Sequence, residues 1–407
     1  MPISHFFAEG IGPFKKVHLD LRGADGRPSL GPHILAGVNG SGKSTILKAI
    51  AWCLAQSNDG FPGEGWGYFL RGANSHALLT FDAAGESAYS LACTGDPFLG
   101  WETRLPEWVD KTLAAAELAP GDFPLRAKTL GHLAAYSSTR VFRFDAIESW
   151  LLSLCSRRAI SKERDGSASI LYTQTLDALE RGLRCVCGED VSIDVALEPD
   201  FRPVLTIGEK TLNLSQITDG LKATLGWMGD FMMRPEAWRL LLFDGIEGSL
   251  HPLWQRRILQ AMREALPETQ SIVTSHSPFV ISSCADAVVH VLKVNKDGSA
   301  YAEPPVQAPI GESITSTLKD IFGVDSRFDV ETEKQLNEWN ELNKVRVEGK
   351  LEPADEARFK ELTRVLASRS EELRSIVSQP APLPKAVVDS LTQTPSAGRV
   401  RRRVATH

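Results

Sequence analysis

Nine consecutive residues, Gly37-Val38-Asn39-Gly40-Ser41-Gly42-Lys43-Ser44-Thr45, carry the strongest chemical signal in this chain. Glycines let the backbone wrap around a polyanion and turn its N–H groups inward. A lysine then reaches the outer phosphate oxygens, and a hydroxyl next to it suits a hard divalent cation. The flanks agree with that chemistry. Apolar residues 33–36 read as the end of a strand, and residues 45–54 as the helix that follows. Asn39, Gly40, Ser41, Gly42, Lys43, Ser44 and Thr45 are therefore the candidate triphosphate ligands, with Ser44 also a Mg²⁺ ligand.

Three later segments add to this one. Leu240-Leu241-Leu242-Phe243-Asp244 describes a buried parallel strand whose last residue, an acid, emerges at the sheet edge. Asp244 is the candidate partner of Ser44 on the metal. Ile217-Thr218-Asp219-Gly220-Leu221-Lys222 opens an apolar helix with a hydroxyl, an acid and a glycine at its start. Taken alone it is a capped helix; next to an anion it offers N–H groups. Ile272-Val273-Thr274-Ser275-His276-Ser277-Pro278 is another apolar strand ending in a polar turn, with His276 placed to sense a γ-phosphate.

In this order the motifs resemble the ATP-binding-cassette class of P-loop ATPases, in the branch that holds the SMC, RecF and overcoming-lysogenization-defect proteins. The residues that carry the resemblance are 37–45, 217–222, 244–252 and 274–278. Leu250-His251-Pro252 and Ser275-His276-Ser277-Pro278 look like that branch's own signatures, and the chain is similar to the bacterial AAA family ATPases of antiphage systems such as Septu. The resemblance implies ATP and Mg²⁺ as ligands and a head-to-tail homodimer. In that dimer the phosphate loop of one copy meets Thr218, Asp219 and Gly220 of the other. It also implies a separate HNH-type nuclease as partner, with DNA as a further ligand.

One position departs from the family. The residue after the strand-end acid is usually the glutamate that orients attacking water, and here it is Gly245. Glu247, two positions later, is the candidate replacement, with Gly245 and Gly248 giving the loop freedom to re-aim it. Binding and closure are expected to persist and hydrolysis to be slow unless Glu247 serves as base, because a missing general base costs about 10²–10⁴-fold. Two other readings stay open: an ATP-gated clamp or scaffold without efficient turnover, and a DNA-repair ATPase in the manner of RecF.

The elements that must hold these residues can be sketched. The expected fold is α/β, an ABC-type P-loop NTPase head with N-terminal antiparallel strands, an inserted helical lobe and a C-terminal helical hairpin. Residues 1–104 form the first part of the head: two strands in 3–21, a glycine-rich stretch at 60–72, and further strands at 77–81 and 89–93. Residues 105–190 read as the helical lobe, with Leu171, Leu176, Leu179 and Leu183 on one face. Residues 191–295 return to the head through a hairpin turning at Glu198-Pro199-Asp200. Residues 296–378 read as a helical appendage, in which Phe359, Leu362, Leu366, Leu373 and Ile376 form a seam broken by Arg369, facing residues 331–347. Residues 379–407 form a Pro-rich linker and a basic tail with Arg399, Arg401, Arg402 and Arg403.

Composition sets the outer limits. The 407 residues suffice for a large core, and a formal net charge of −6 argues against a polycation, so any nucleic-acid contact needs a local basic surface. No apolar run reaches the length of a membrane span and no leader pattern opens the chain, so a cytoplasmic protein without membrane contact is expected. Cys185 and Cys187 form a C-x-C pair without a second pair or a histidine at ligand spacing, a poor zinc site. No nuclease constellation accompanies the nucleotide motifs, which would leave chemistry on nucleic acid to another polypeptide.

Overall fold

The computed structural model describes residues 2–23, 25–55, 75–83, 86–93, 132–137, 144–163, 168–196, 201–233, 237–324 and 328–378. The chain divides into two compact units, residues 1–324 and 325–407.

The first unit is built on one large mixed sheet. Its parallel half consists of β3 (His33–Gly37), β6 (His132–Ser137), β10 (Ala237–Asp244), β11 (Gln270–Ser275) and β12 (Val288–Val294), in the order β12-β3-β11-β10-β6. The antiparallel half adds β1 (Ile3–Ile11), β2 (Phe14–Asp20), β4 (His76–Ala83) and β5 (Glu86–Cys93). The two halves join where β13 (Ala300–Ala302) pairs with β2 on one side and β12 on the other, and β14 (Val306–Gln307) extends β12. A second, three-stranded sheet holds β7 (Val191–Ala196), β8 (Arg202–Ile207) and β9 (Lys210–Asn213).

The continuous apolar runs predict strands covered on both faces, and burial follows that pattern. Ile34, Leu241, Phe243 and Val273 enter one core, while Leu35, Leu240, Leu242 and Ile272 enter the other. The second core also holds Ile46 and Ile50 of α1 (Lys43–Ala55) and Phe6 and Phe14 from the antiparallel strands. Across the sheet, the first core is covered by α2 (Phe144–Glu163), α3 (Ala168–Cys187), α4 (Asp219–Met232) and α6 (Ile258–Ala265). Leu176, Leu179 and Leu183 are fully buried there, as their spacing predicts. Two short helices, α5 (Pro252–Gln255) and α7 (Pro278–Ile281), begin with proline just after the site loops, and α8 (Ile314–Phe322) ends the unit.

Two expectations change. The span 105–190 is not all helix, because β6 lies within it, pairing in parallel with β10; its short apolar run is indistinguishable by period from a buried helical segment. Residues 94–131 and 138–143 lie outside the described residues, as do the stretch 60–72, the turn at 198–200 and the tail 379–407. The head also extends past residue 295. β13, β14 and α8 belong to it, and the boundary falls after Val324, because the three residues of β13 are what connects the sheet halves. So short a strand leaves no periodic signal.

The second unit contains α9 (Val330–Val347), α10 (Pro353–Arg369) and α11 (Glu371–Ser378). Asp329 caps α9, accepting from the N–H groups of Glu331 and Thr332 at 3.1 and 3.0 Å. Trp339 stacks on Phe359 at 5.4 Å and donates to Thr363 Oγ1 at 2.8 Å. The expected seam is buried at Phe359, Leu362, Leu366 and Leu373; its last member is Val377, with Ile376 half-buried. Arg369, which breaks the seam, donates to Thr332 of α9.

At the end of the sheet away from the phosphate loop, His33 and His290 are fully buried as a pair, with His33 Nδ1 3.3 Å from His290 Nε2. The carbonyl of Ser29 can only accept, so His33 carries its proton on Nε2 and receives His290 Nε2–H at Nδ1. Burial drives His33 down to about 4 and His290 to about 3, and His5, buried beside His18, to about 4. The unfolded chain takes up protons near the ordinary imidazole value of 6.5, which the folded one does not until about pH 4. Stability is therefore expected to fall as pH drops through that window. Urea midpoints measured from pH 7 to pH 4.5 should decline, and the decline should be shallower in His290→Gln.

Candidate functional site: a phosphate-loop cleft

The carboxyl ends of β3, β10 and β11 lie on one edge of the sheet, set by the registers Phe243↔Val273 and Ser275↔Ala36. Open parallel sheets bind ligands at that edge. Here it carries a cleft of about 460 Å³ lined by the phosphate loop, Asp244, Gly245, Glu247, Thr274 and His276. The loop is pressed against the β1–β2 turn: a Cβ on Gly42 would lie 2.2 Å from the Phe14 ring, and Gly42 has φ +92°. Only glycine closes the loop at that point.

Polar contacts fix the corner at Asp244. Asp244 Oδ1 accepts from Ser44 Oγ at 2.9 Å and from Thr274 Oγ1 at 2.6 Å. Thr274 Oγ1 in turn accepts the N–H of Gly245 at 2.8 Å. One oxygen thus ties the first turn of α1 to the ends of two core strands. Hydroxyl and carboxylate oxygens, without nitrogen or sulfur, make a hard donor set that fits Mg²⁺. Lys43 donates from Nζ to the carbonyls of Gly37 and Val38 at 2.8 and 2.9 Å. Burial lowers its ammonium to about 8, against the pull of Asp244 and Glu247. An arriving phosphate would push it back up, since a nearby negative charge favours the ammonium form.

Gly245 sits in the left-handed region at φ 70°, where a glutamate would be strained by about 1–2 kcal/mol. The turns that follow, Gly248 N–H to Gly245 C=O at 3.0 Å and Leu250 N–H to Glu247 C=O at 3.1 Å, fold Glu247 back onto the cleft. Its Oε1 accepts the backbone N–H of His276 at 2.8 Å. The His276 ring is exposed and held below the usual imidazole range by burial and by Lys43.

The chain therefore gathers Asn39, Gly40, Gly42, Lys43, Ser44, Thr45, Asp244, Glu247 and His276 around one cleft. Ser41 is buried beneath the loop, its Oγ without a hydrogen-bond partner. Thr218, Asp219 and Gly220 do not line it. They open α4, where the Thr218 and Asp219 side chains are exposed and Thr218 makes no capping bond from its side chain. A Cβ on Gly220 would lie 2.7 Å from the carbonyl of Ser249, so this helix start rests on the loop that follows Asp244. Thr274 is the residue sequence reasoning did not assign; a threonine inside a β-branched strand gives no signal of its own.

A glycine-rich loop of phosphate-binding pattern after one strand, an acid at the end of another and a histidine after the strand between them, on a sheet half parallel and half antiparallel, give the fold of an ABC-type P-loop NTPase head. Comparison with known proteins finds two AAA-domain family models over parts of the chain and partial similarity to a Septu protein and a retron ATPase. Residues 206–282 match the family model "AAA domain, putative AbiEii toxin, Type IV TA system", and residues 8–91 match "AAA domain". Septu protein PtuA of Bacillus thuringiensis is 31% identical over 112 residues, 25% of this chain and 28% of that protein. The "Retron Vc95 probable ATPase" of Vibrio cholerae is 27% identical over 28% of this chain and 22% of its own length. The matched segments thus span under a third of these relatives. The SMC head domain from Thermotoga maritima is similar at a TM-score of 0.42 with 16% identity, over 75% of this chain and 99% of that one.

The corner built on Thr274 is directly testable. Thr274→Val keeps the shape but leaves the Gly245 N–H and one Asp244 lone pair without a partner. A loss of about 1–3 kcal/mol in urea-measured stability is expected, together with weaker Mg²⁺-dependent nucleotide binding by calorimetry.

Proposed function

We propose that this protein is an ATP-binding, slowly hydrolysing ABC-type ATPase that acts as a nucleotide-gated homodimeric switch in a bacterial defence or DNA-associated complex. The observation that carries this reading is the separation of two half-sites. Lys43, Ser44, Asp244 and His276 share a cleft, while Thr218 and Asp219 stand exposed outside it. A second copy, facing head to tail, would bring its Thr218, Asp219 and Gly220 to the phosphates. ATP would then favour the closed pair by touching both copies, and loss of the γ-phosphate would release it.

In this reading Lys43, Ser44 and Thr45 and the loop N–H groups bind the phosphates, and Ser44 and Asp244 hold Mg²⁺. The cation would neutralise charge on the β- and γ-oxygens. His276 reads the γ-phosphate. Gly245 at the usual place of the water-orienting carboxylate supports slow turnover. The Septu relative supports the defence setting. The proposed partner is a separate HNH-type nuclease, with DNA as trigger or substrate of the complex, in the cytoplasm. Among the described residues no helix is long and apolar enough to cross a membrane.

The test combines mass and turnover. With Mg²⁺ and a non-cleavable ATP analogue, light scattering should report a dimer that Lys43→Ala and Thr218→Arg each abolish. Phosphate release by the natural protein should be slow but measurable. Only monomers with the analogue would defeat the switch, and fast turnover would defeat the account of Gly245. Copurification from the native operon with and without ATP should bring down a nuclease in a nucleotide-dependent manner.

A further inference from the structure

Glu247 is the one carboxylate of the cleft with no assigned part in holding Mg²⁺, and its two oxygens are in different situations. Oε1 accepts the backbone N–H of His276 at 2.8 Å, whereas Oε2 is buried with no hydrogen-bond partner. A general base needs an oxygen that water can approach in line with the phosphate. In this arrangement one oxygen is engaged by a peptide and the other is sealed. The contact falls on the main chain of residue 276 and not on its ring, so it sets where the loop runs whatever side chain the loop carries.

A second contact lies alongside. Ser277, which caps α7 by accepting from the N–H groups of Phe279 and Val280, donates to Gln255 Oε1 at 2.6 Å. Gln255 Nε2 is itself anchored on the carbonyl of Leu250 at 2.8 Å. The segment 245–255 therefore grips the turn 275–278 at two adjacent residues, once through Glu247 and once through Gln255. The left-handed Gly245 and the two turns after it aim the first grip. The exposed imidazole between these grips has a fixed stem and a free ring, the construction required of a sensor that must meet a phosphate oxygen at a set place.

We propose that Glu247 is a positioning residue for the γ-phosphate contact: its carboxylate holds the His276 main chain so that the imidazole distinguishes a nucleoside triphosphate from a diphosphate. This rests on the functional reading above. It assigns to Glu247 the work of an acceptor, for which an amide carbonyl can stand in at some loss of strength, and not that of a base.

The test uses the full chain and calorimetric affinities for MgATP and MgADP, so it does not depend on turnover. The natural protein should prefer the triphosphate. Glu247→Ala should reduce that preference about tenfold, the size of one lost charge-assisted hydrogen bond. Glu247→Gln should restore it to within about threefold, since its carbonyl keeps the His276 N–H. His276→Ala should match Glu247→Ala, and the double variant should be no worse than either single one, because both changes remove one contact. A Glu247→Gln protein as impaired as Glu247→Ala, additive losses in the double variant, or no triphosphate preference in the natural protein would each overturn the proposal. Should Glu247→Ala not fold, hydrogen exchange on the natural protein decides: a protected His276 amide is expected, and a freely exchanging one overturns the claim. Absence of MgATP binding by the natural protein, or affinity unchanged in Lys43→Ala, would instead remove the functional reading, and this inference with it.

Discussion

A single carboxylate oxygen organises the nucleotide edge of this molecule. Asp244 Oδ1 receives the hydroxyls of Ser44 and Thr274, so the helix after the phosphate loop and two core strands meet at one atom. Charge-assisted hydrogen bonds of this kind are short and directional. The sheet beneath makes that meeting reproducible: each of the strands concerned is buried on both faces, and a slip of one residue would exchange the two cores. The cost of mispairing the apolar strands thus guards the polar geometry above them.

That arrangement also explains the loop that follows. With Thr274 Oγ1 accepting the Gly245 N–H, the backbone turns at once into the left-handed region. A side chain there would have to displace the turn or bear the strain. The second carboxylate lining the cleft comes from Glu247 instead, and it engages a peptide N–H. The left-handed glycine at residue 245 and the hydrogen bond at residue 247 are two expressions of one backbone path.

Much of this was legible in the chain because the informative features are local. The loop of residues 37–45 encodes its conformation in glycine spacing, and four apolar residues ending at Asp244 announce a buried strand with a polar tip. The seam of α10 shows its period directly. What escaped depends on contacts distant in sequence. Thr274 acquires its role through the pairing of β11 beside β10, thirty residues away from Asp244. β6 is a six-residue run whose identity comes from docking on β10, and β13 is three residues that join the sheet halves. The histidine pair at the far end of the sheet likewise needs the parallel pairing of β3 with β12, which brings together residues 257 positions apart.

The seating of Gly220 on the Ser249 carbonyl links two parts of the polypeptide that sequence motifs treat as separate. Ser249 is itself held at φ 64°, an uncommon conformation for a residue with a side chain, so the peptide at that point has little slack. The start of α4 and the loop that carries Glu247 therefore pack directly on one another, so a tilt of that helix would press on the peptide two residues after the carboxylate.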